Sequence, residues 1–267
     1  MRVSKSMDAA ASARLVSDSN RIESQKPMVV SLASRGIAVT STLLSVADLE
    51  EIARVTRLNV LTMINEAGSG HPGSSLSAVD LIVALYFWKM HHRPDDPRWA
   101  ERDRFVLSKG HAAPALYAVL AEAGYFPVSK LSTLRKVDSV LQGHPDTVTP
   151  GVDVMTGSLG QGLSVANGIA IAGKLDRKGF RVYVILGDGE CDEGQIWEAA
   201  MTAAHYKLDN MTVIIDRNML QSDGRTEAIK SKEPLGDKWR AFGWNVLEVD
   251  GHSFLEILSS LNLAEAK

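Results

Sequence analysis

The sequence predicts a three-layer α/β domain with a mostly parallel central sheet and helices on both faces. Three observations predict it. Residues 180–186 and 211–216 are short, apolar and β-branched, the first stopped by Gly187-Asp188-Gly189 and the second by a polar turn after Asp216, as buried parallel strands are. Residues 194–206 between them carry the helix formers Gln195, Glu198, Ala199, Ala200, Met201, Ala203 and Ala204. Strand-like and helix-like runs then alternate along most of the remaining chain, the pattern of an α/β layer architecture.

Taken in order, residues 1–44 mix Ser, Ala, Arg and Asp with little periodicity and no long apolar stretch. They read as a disordered tail or an upstream extension of the reading frame, with neither a secretory signal nor a clear transit peptide. Order is expected from residue 45, so that 45–267 forms one domain. Ser45 and Asp48 have the spacing of an N-terminal capping box, and Leu49, Ile52, Ala53, Thr56, Val60, Met63, Ile64 and Ala67 follow at helical intervals. That helix should end in Gly68-Ser69-Gly70. A nearly all-apolar helix is expected from about Ser75 to Trp88, a short strand over Phe105–Ser108 and a helix over Ala113–Ala123. A glycine-led helix follows over Ser158–Lys174, its Ala166, Gly168, Ala170, Ala172 and Gly173 allowing close packing. Beyond the strand–helix–strand unit, Trp244–Val249 reads as a further strand and Phe254–Leu263 as a further helix.

Composition narrows the function. With 267 residues, 45% of them apolar, the chain can bury one sizeable core. A net charge of −3 and the lack of a basic run argue against nucleic-acid or membrane partners. Cys191 is the single cysteine, which excludes an internal disulfide framework or a CxxC pair and fits a cytoplasmic protein. The longest apolar run, Val79 to Met90, is interrupted by Asp80 and Lys89 and is too short for a bilayer.

The chemistry concentrates where the two strands end. A right-handed crossover sets both ends on one edge of the sheet, so Asp188 and Asn218 come to lie side by side at the carboxyl edge, where open α/β sheets bind ligands. A carboxylate, a carboxamide oxygen and one irregular carbonyl, such as that of Leu220, make a hard oxygen set suited to Mg²⁺ and a diphosphate. Gly189 leaves its N–H bare for close approach by a phosphate. Either motif alone is equally well a tight turn; the topology that joins them favours the site. Gly157-Ser158-Leu159-Gly160-Gln161-Gly162 opens a helix and offers a second anion site, or a plain loop-to-helix junction. Gly68-Ser69-Gly70-His71-Pro72-Gly73 satisfies the dinucleotide fingerprint G-x-G-x-x-G but follows a helix and contains a proline, so NAD binding is rejected.

The stretch GDGECDEGQIWEAAMTAAHYKLDNMTVIIDRNMLQSDG resembles the thiamine diphosphate motif, which opens with GDG and closes with an asparagine after the next strand. Its wording is most similar to transketolases, and the resemblance runs from about residue 47 to the end of the chain. It implies the three-layer thiamine diphosphate-binding fold, with Mg²⁺ or another divalent cation held by Asp188, Asn218 and Leu220. Gly157, Ser158 and Leu159 would hold the diphosphate, together with Gly189. His71 (SGHPG), His111 (SKGHAAP) and His144 (QGHPD) fall on the family's active-site histidines. His71 and His144 would contact substrate hydroxyls, and His111 would lie near the diphosphate and the reacting carbon. Glu193 resembles part of a carboxylate network at the subunit interface; Glu190, Asp192 and Glu193 otherwise read as a solvated helix start. His252 is expected in a turn after a strand, His91 and His92 in an exposed loop, and His205 on a helix surface or packed at an interface.

A full transketolase has a second, pyrimidine-binding domain and a third one downstream, and its first domain usually ends in a further strand and glycine-rich loop. This sequence stops at Lys267, before these. The expectation is therefore the N-terminal subunit of a split transketolase, paired with a separate C-terminal subunit in an α₂β₂ assembly. It would transfer a two-carbon ketol unit from a ketose phosphate to an aldose phosphate. The alternatives are the α chain of a 2-oxo-acid dehydrogenase, a deoxyxylulose-phosphate synthase-like chain, or a non-catalytic fragment.

Overall fold

The computed structural model describes residues 44–222 and 224–265; the expected tail, residues 1–43, lies outside the described residues. The first helix, α1 (Val46–Ala67), starts as its sequence dictates. Ser45 Oγ accepts the Asp48 N–H at 3.2 Å and Asp48 Oδ2 accepts the Ser45 N–H at 2.9 Å, a reciprocal cap that contributes about 1 kcal/mol. Gly68, at φ 64°, ends it, a left-handed turn that glycine makes without a Cβ clash. Helix α2 (Pro72–Ala84) follows at once and runs into a π-helical turn, Leu85–Lys89. The glycine fingerprint thus joins two helices, and the rejection of a dinucleotide loop holds.

The remaining order is β1 (Arg104–Leu107), α3 (Ala113–Glu122), α4 (Gln161–Leu175), β2 (Val182–Gly187), α5 (Gly194–His205) and β3 (Met211–Asp216). A small hairpin, β4 (Leu220–Gln221) and β5 (Gly224–Arg225), precedes a helical turn at Thr226–Ile229, α6 (Leu235–Ala241) and α7 (Phe254–Glu265). Strands β1, β2 and β3 form one parallel sheet in that order, with Leu107 opposite Ile185 and Gly187 opposite Asp216. Alternation along the strands divides the interior in two. Phe105, Leu107, Tyr183 and Ile185 pack with α1, α2, α3 and α7 on one face. Val106, Val182, Val184 and Leu186 pack with α4, α5 and α6 on the other. This is the three-layer arrangement expected, and no helix among the described residues is long and apolar enough to cross a membrane.

Three expectations are corrected. Trp244–Val249 belongs to no ladder. A cavity of about 1190 Å³ is lined by all of β3 on one side and residues 244–252 on the other, so the extended segment has no strand within hydrogen-bonding reach. Its alternation is real, since Trp244 and Val246 are half-buried against the α5 and α6 side. His92 is no exposed loop residue: it hydrogen-bonds the Tyr86 carbonyl at 2.6 Å and the Tyr125 hydroxyl at 3.0 Å. His252 does more than turn the chain, because its Nδ1 lies 2.7 Å from the buried carboxylate of Asp80, which also pairs with Arg57. His91 and His205 are exposed as expected.

Candidate active site

The carboxyl ends of β2 and β3 meet as the crossover requires. The Asp188 N–H reaches the Asp216 carbonyl at 3.2 Å. The buried Asp188 side chain then spans the two loops: Oδ1 accepts the Gly189 N–H and Oδ2 accepts the Met219 N–H, both at 2.9 Å. Burial raises its pKa, and those two N–H groups oppose the rise. Asn218, next to Met219, accepts the Leu220 N–H on Oδ1 at 3.0 Å. Leu220 pairs with Arg225 in the hairpin, while the Thr226 N–H bonds the Met219 carbonyl. That register makes Leu220–Arg225 a non-hydrogen-bonded pair, which leaves the Leu220 carbonyl outside the ladder. Asp188, Asn218 and Leu220 are thereby brought to one loop junction.

The glycine loop differs in one respect from expectation. The helix begins at Gln161, so Gly157, Ser158 and Leu159 form an exposed loop in front of it rather than its first turn. Gly160, at φ 86°, makes the bend that a side chain would resist. Among the described residues nothing accepts the N–H groups of Gly157, Ser158 and Leu159. Three consecutive free donors thus stand at the positive end of a 15-residue helix, an arrangement that favours an anion.

Glu190 joins the two halves, and sequence reasoning missed it. Instead of a solvated acid it is buried at 2% exposure. Oε1 accepts the Ser108 hydroxyl at 2.5 Å and the Gly160 N–H at 2.9 Å, and Oε2 accepts the Gly187 N–H at 3.0 Å. The glycine loop, the end of β1 and the end of β2 are thus held on one carboxylate. Gly162 shows how close these parts lie, since a Cβ there would collide with the Ser108 side chain. Asp192 is half-buried and pairs with Lys232 at 2.9 Å, and Glu193 is exposed.

The three histidines converge through a closed circuit of contacts. The rings of His71 and His111 stand edge to face at 5.3 Å. His111 follows Gly110, where a Cβ would meet Thr156 and the Gly157 nitrogen at 2.7–3.0 Å. A Cβ on Gly157 would sit 3.3 Å from the His144 ring. Arg135 lies against Gly143, next to His144, and donates to Ser69 Oγ at 3.1 Å, two residues before His71. Behind this ring Lys109, 1% exposed, pairs with Asp216 at 2.6 Å and donates to the Ser74 carbonyl at 3.1 Å. Ser74 Oγ in turn shares a hydrogen bond with His111 Nε2 at 2.8 Å. Lys109 stands inside the SKGHAAP motif, but its partner 107 residues away in sequence left no trace that pattern reading could find.

Burial, helped by Lys109, His71 and His144, pushes the His111 pKa from 6.5 down to about 4. Burial and Arg135 lower that of His144 as well. An imidazole depressed in the fold stays neutral there while the unfolded chain takes up its proton, so stability falls as pH drops from about 6.5 toward about 4. Substituting His111→Gln should therefore flatten the acid side of the stability curve. Urea midpoints of both proteins at pH 7 and pH near 4.5 check this; parallel losses would show that His111 is not the group responsible.

With this geometry in place, residues 49–267 match the family described as "Transketolase, thiamine diphosphate binding domain". A 6-deoxy-6-sulfo-D-fructose transketolase subunit from Clostridium sp. (strain MSTE9) is 50% identical over 219 residues, 82% of this chain and 80% of that one. One subunit of the apulose-4-phosphate transketolase from Phocaeicola vulgatus is 45% identical over 215 residues, 80% of this chain and 76% of the other. The solved transketolase of Campylobacter jejuni superposes with a TM-score of 0.80 at 34% identity, covering 84% of this chain but 36% of that chain. The present chain spans about a third of such full-length transketolases, human transketolase included, of which it covers 35%.

Proposed function

Because this chain belongs to the transketolase family and carries its thiamine diphosphate-binding domain, we propose that it is the diphosphate-side subunit of a two-chain transketolase. The observation that carries this reading is the junction at Glu190, where three free N–H groups before α4 meet the Asp188 and Asn218 loops. The donors fit the ligands. One carboxylate, one carboxamide oxygen and one off-ladder carbonyl suit Mg²⁺, which binds through one or two carboxylates together with substrate phosphates. Asp188, Asn218 and Leu220 would hold the cation, and Gly157, Ser158, Leu159 and His111 the diphosphate; the Gly189 N–H, expected to be bare, is instead held by Asp188 Oδ1, so Gly189 would lie beside the diphosphate without that donor.

When bound, thiamine diphosphate supplies the carbanion chemistry of ketol transfer, and the protein binds, orients and excludes water. His71, exposed at the head of α2, and His144, against the glycine loop, would hold substrate hydroxyls. His111 has Nε2 engaged by Ser74, which leaves Nδ1 for a proton at the reacting oxygen, and its depressed pKa keeps that imidazole neutral. The relatives compared are named for transketolases, which favours ketol transfer between sugars over the two decarboxylating readings. Their naming as subunits also supports a separate partner, taken here as a C-terminal chain with the pyrimidine-binding domain in an α₂β₂ assembly. A cytoplasmic site of action agrees with the single cysteine.

Calorimetry with thiamine diphosphate and Mg²⁺ checks the proposal, with and without the C-terminal subunit. The chain alone should turn over negligibly and gain tight cofactor binding on assembly. Full activity without a partner would remove the split-site reading, and no binding in the complex would leave a non-catalytic fragment.

A further inference from the structure

We propose that Lys232 is a positioning residue for the cation site, holding the Leu220 carbonyl where it can share an ion with Asp188 and Asn218. The inference rests on the donor set assigned above. It starts from the loop that carries Leu220. Strands β4 and β5 are two residues each, too short a ladder to keep its shape unaided. The Leu220 side chain is 60% exposed, so packing holds it little. On either side of β4 the backbone is left-handed, at Met219 (φ 63°) and Ser222 (φ 50°), a conformation uncommon for residues with side chains. Such a backbone persists only where its surroundings fix it. Asp188 and Asn218 grip the entry to the loop, at the N–H groups of Met219 and Leu220. The other side needs a tie of its own.

Gln221 supplies that tie. Its Nε2 donates to Asp192 Oδ2 at 2.6 Å, and its Oε1 accepts from Lys232 Nζ at 2.9 Å. Lys232 closes the triangle on Asp192 Oδ1 at 2.9 Å. With the Lys230 carbonyl at 3.0 Å, the ammonium has three acceptors for its three N–H groups, at only 5% exposure. The lysine backbone is itself fixed. Its N–H donates to Glu227 at 3.2 Å, and its carbonyl accepts the Lys238 ammonium of α6 at 2.7 Å. Asp192 ends the turn that Asp188 opens, while Gln221 stands next to Leu220. The triangle thus locks the loop bearing one proposed ligand to the turn bearing another. The fit is close, since a Cβ on Gly189 would come within 3.1 Å of Gln221 Cγ. A staple of Lys232 on Asp192 alone would leave the hairpin untouched; the corner at Gln221 carries its effect to Leu220.

The test titrates Mn²⁺, which suits the same oxygen donors as Mg²⁺, into the two-chain complex at saturating thiamine diphosphate. Loss of the free-ion EPR signal reads cation binding directly, apart from turnover. Lys232→Met should weaken Mn²⁺ about tenfold, the lower end of the ~10–100-fold lost when the partners of metal ligands are removed. Gln221→Met leaves the Lys232–Asp192 pair whole, so it keeps the measurement open even where Lys232→Met does not fold. It should weaken Mn²⁺ to a similar extent. Adding Lys232→Met to it should cost little more, because both cut one tie; fully additive losses would overturn the tie. Unfolding midpoints of the apo chains separate stability from position. A Lys232→Met protein that unfolds earlier but binds Mn²⁺ like the parent would reduce Lys232 to a staple, as would a folded Gln221→Met protein of unchanged affinity. A wild-type complex that binds no Mn²⁺ would instead defeat the donor set, and the role of Lys232 with it.

Discussion

Asp188→Ala is expected to abolish Mg²⁺-dependent retention of thiamine diphosphate in the assembled enzyme. Asp188 is the one carboxylate in the proposed donor set, so its loss removes the charge that a divalent cation requires. Changes to groups that merely orient ligands cost about 10–100-fold in metal affinity, and removal of the ligand itself should cost at least about 100-fold. A second loss compounds the first. Asp188 is the link between the loops, through Gly189 on one side and Met219 on the other, and each N–H left unpaired costs about 1–3 kcal/mol where it is buried. Asp188→Asn separates the two effects. It keeps the size and one accepting oxygen, but its amide would point donors at an N–H group. Titration of cofactor at fixed Mg²⁺, with unfolding midpoints of the apo proteins, reads both. If Asp188→Ala binds cofactor like the parent, the cation is held elsewhere.

The parts of this site that the sequence disclosed are those set by local periodicity and handed connection. Strands 182–187 and 211–216 with helix 194–205 follow from β-branched runs, helix formers and glycine stops, and the right-handed crossover then places Asp188 beside the Asn218 turn. The histidines are different. Nothing in the spacing of His71, His111 and His144 brings them together, and only the family resemblance did so. Glu190 was legible as an acid but not as a buried one, because its three donors come from Ser108, Gly160 and Gly187, on three separate segments. Trp244–Val249 shows the converse: its alternation is that of a strand, but a strand also needs a neighbour, and periodicity does not supply one. The helix before Lys174 begins three residues later than its glycine-led start suggested, because Gly160 takes the bend itself.

Lys109→Met should be the most destabilising single change near the site. Lys109 and Asp216 are 1% and 6% exposed and lie 2.6 Å apart. Removing one partner of a buried pair strands the other charge, at a cost of about 3–5 kcal/mol, a large share of the roughly 5–15 kcal/mol that holds a typical domain together. The Ser77 hydroxyl, 2.5 Å from Asp216 Oδ1, would remain as a neutral donor and offset part of the loss. The double variant Lys109→Met with Asp216→Asn removes both charges and should recover much of it, since no ion is then left without a counterion. Denaturant unfolding of the two singles and the double closes this cycle. A Lys109→Met protein within about 1 kcal/mol of the parent, at the scale expected for exposed pairs, would mean that water reaches the pair. The functional consequence follows from the same contacts. Lys109 also holds the Ser74 carbonyl, and Ser74 holds His111, so loosening the pair releases the imidazole proposed to act in the reaction. The double variant should therefore regain stability without regaining full turnover, because methionine cannot bind the Ser74 carbonyl. A double variant restored in both would separate His111 from the ion pair.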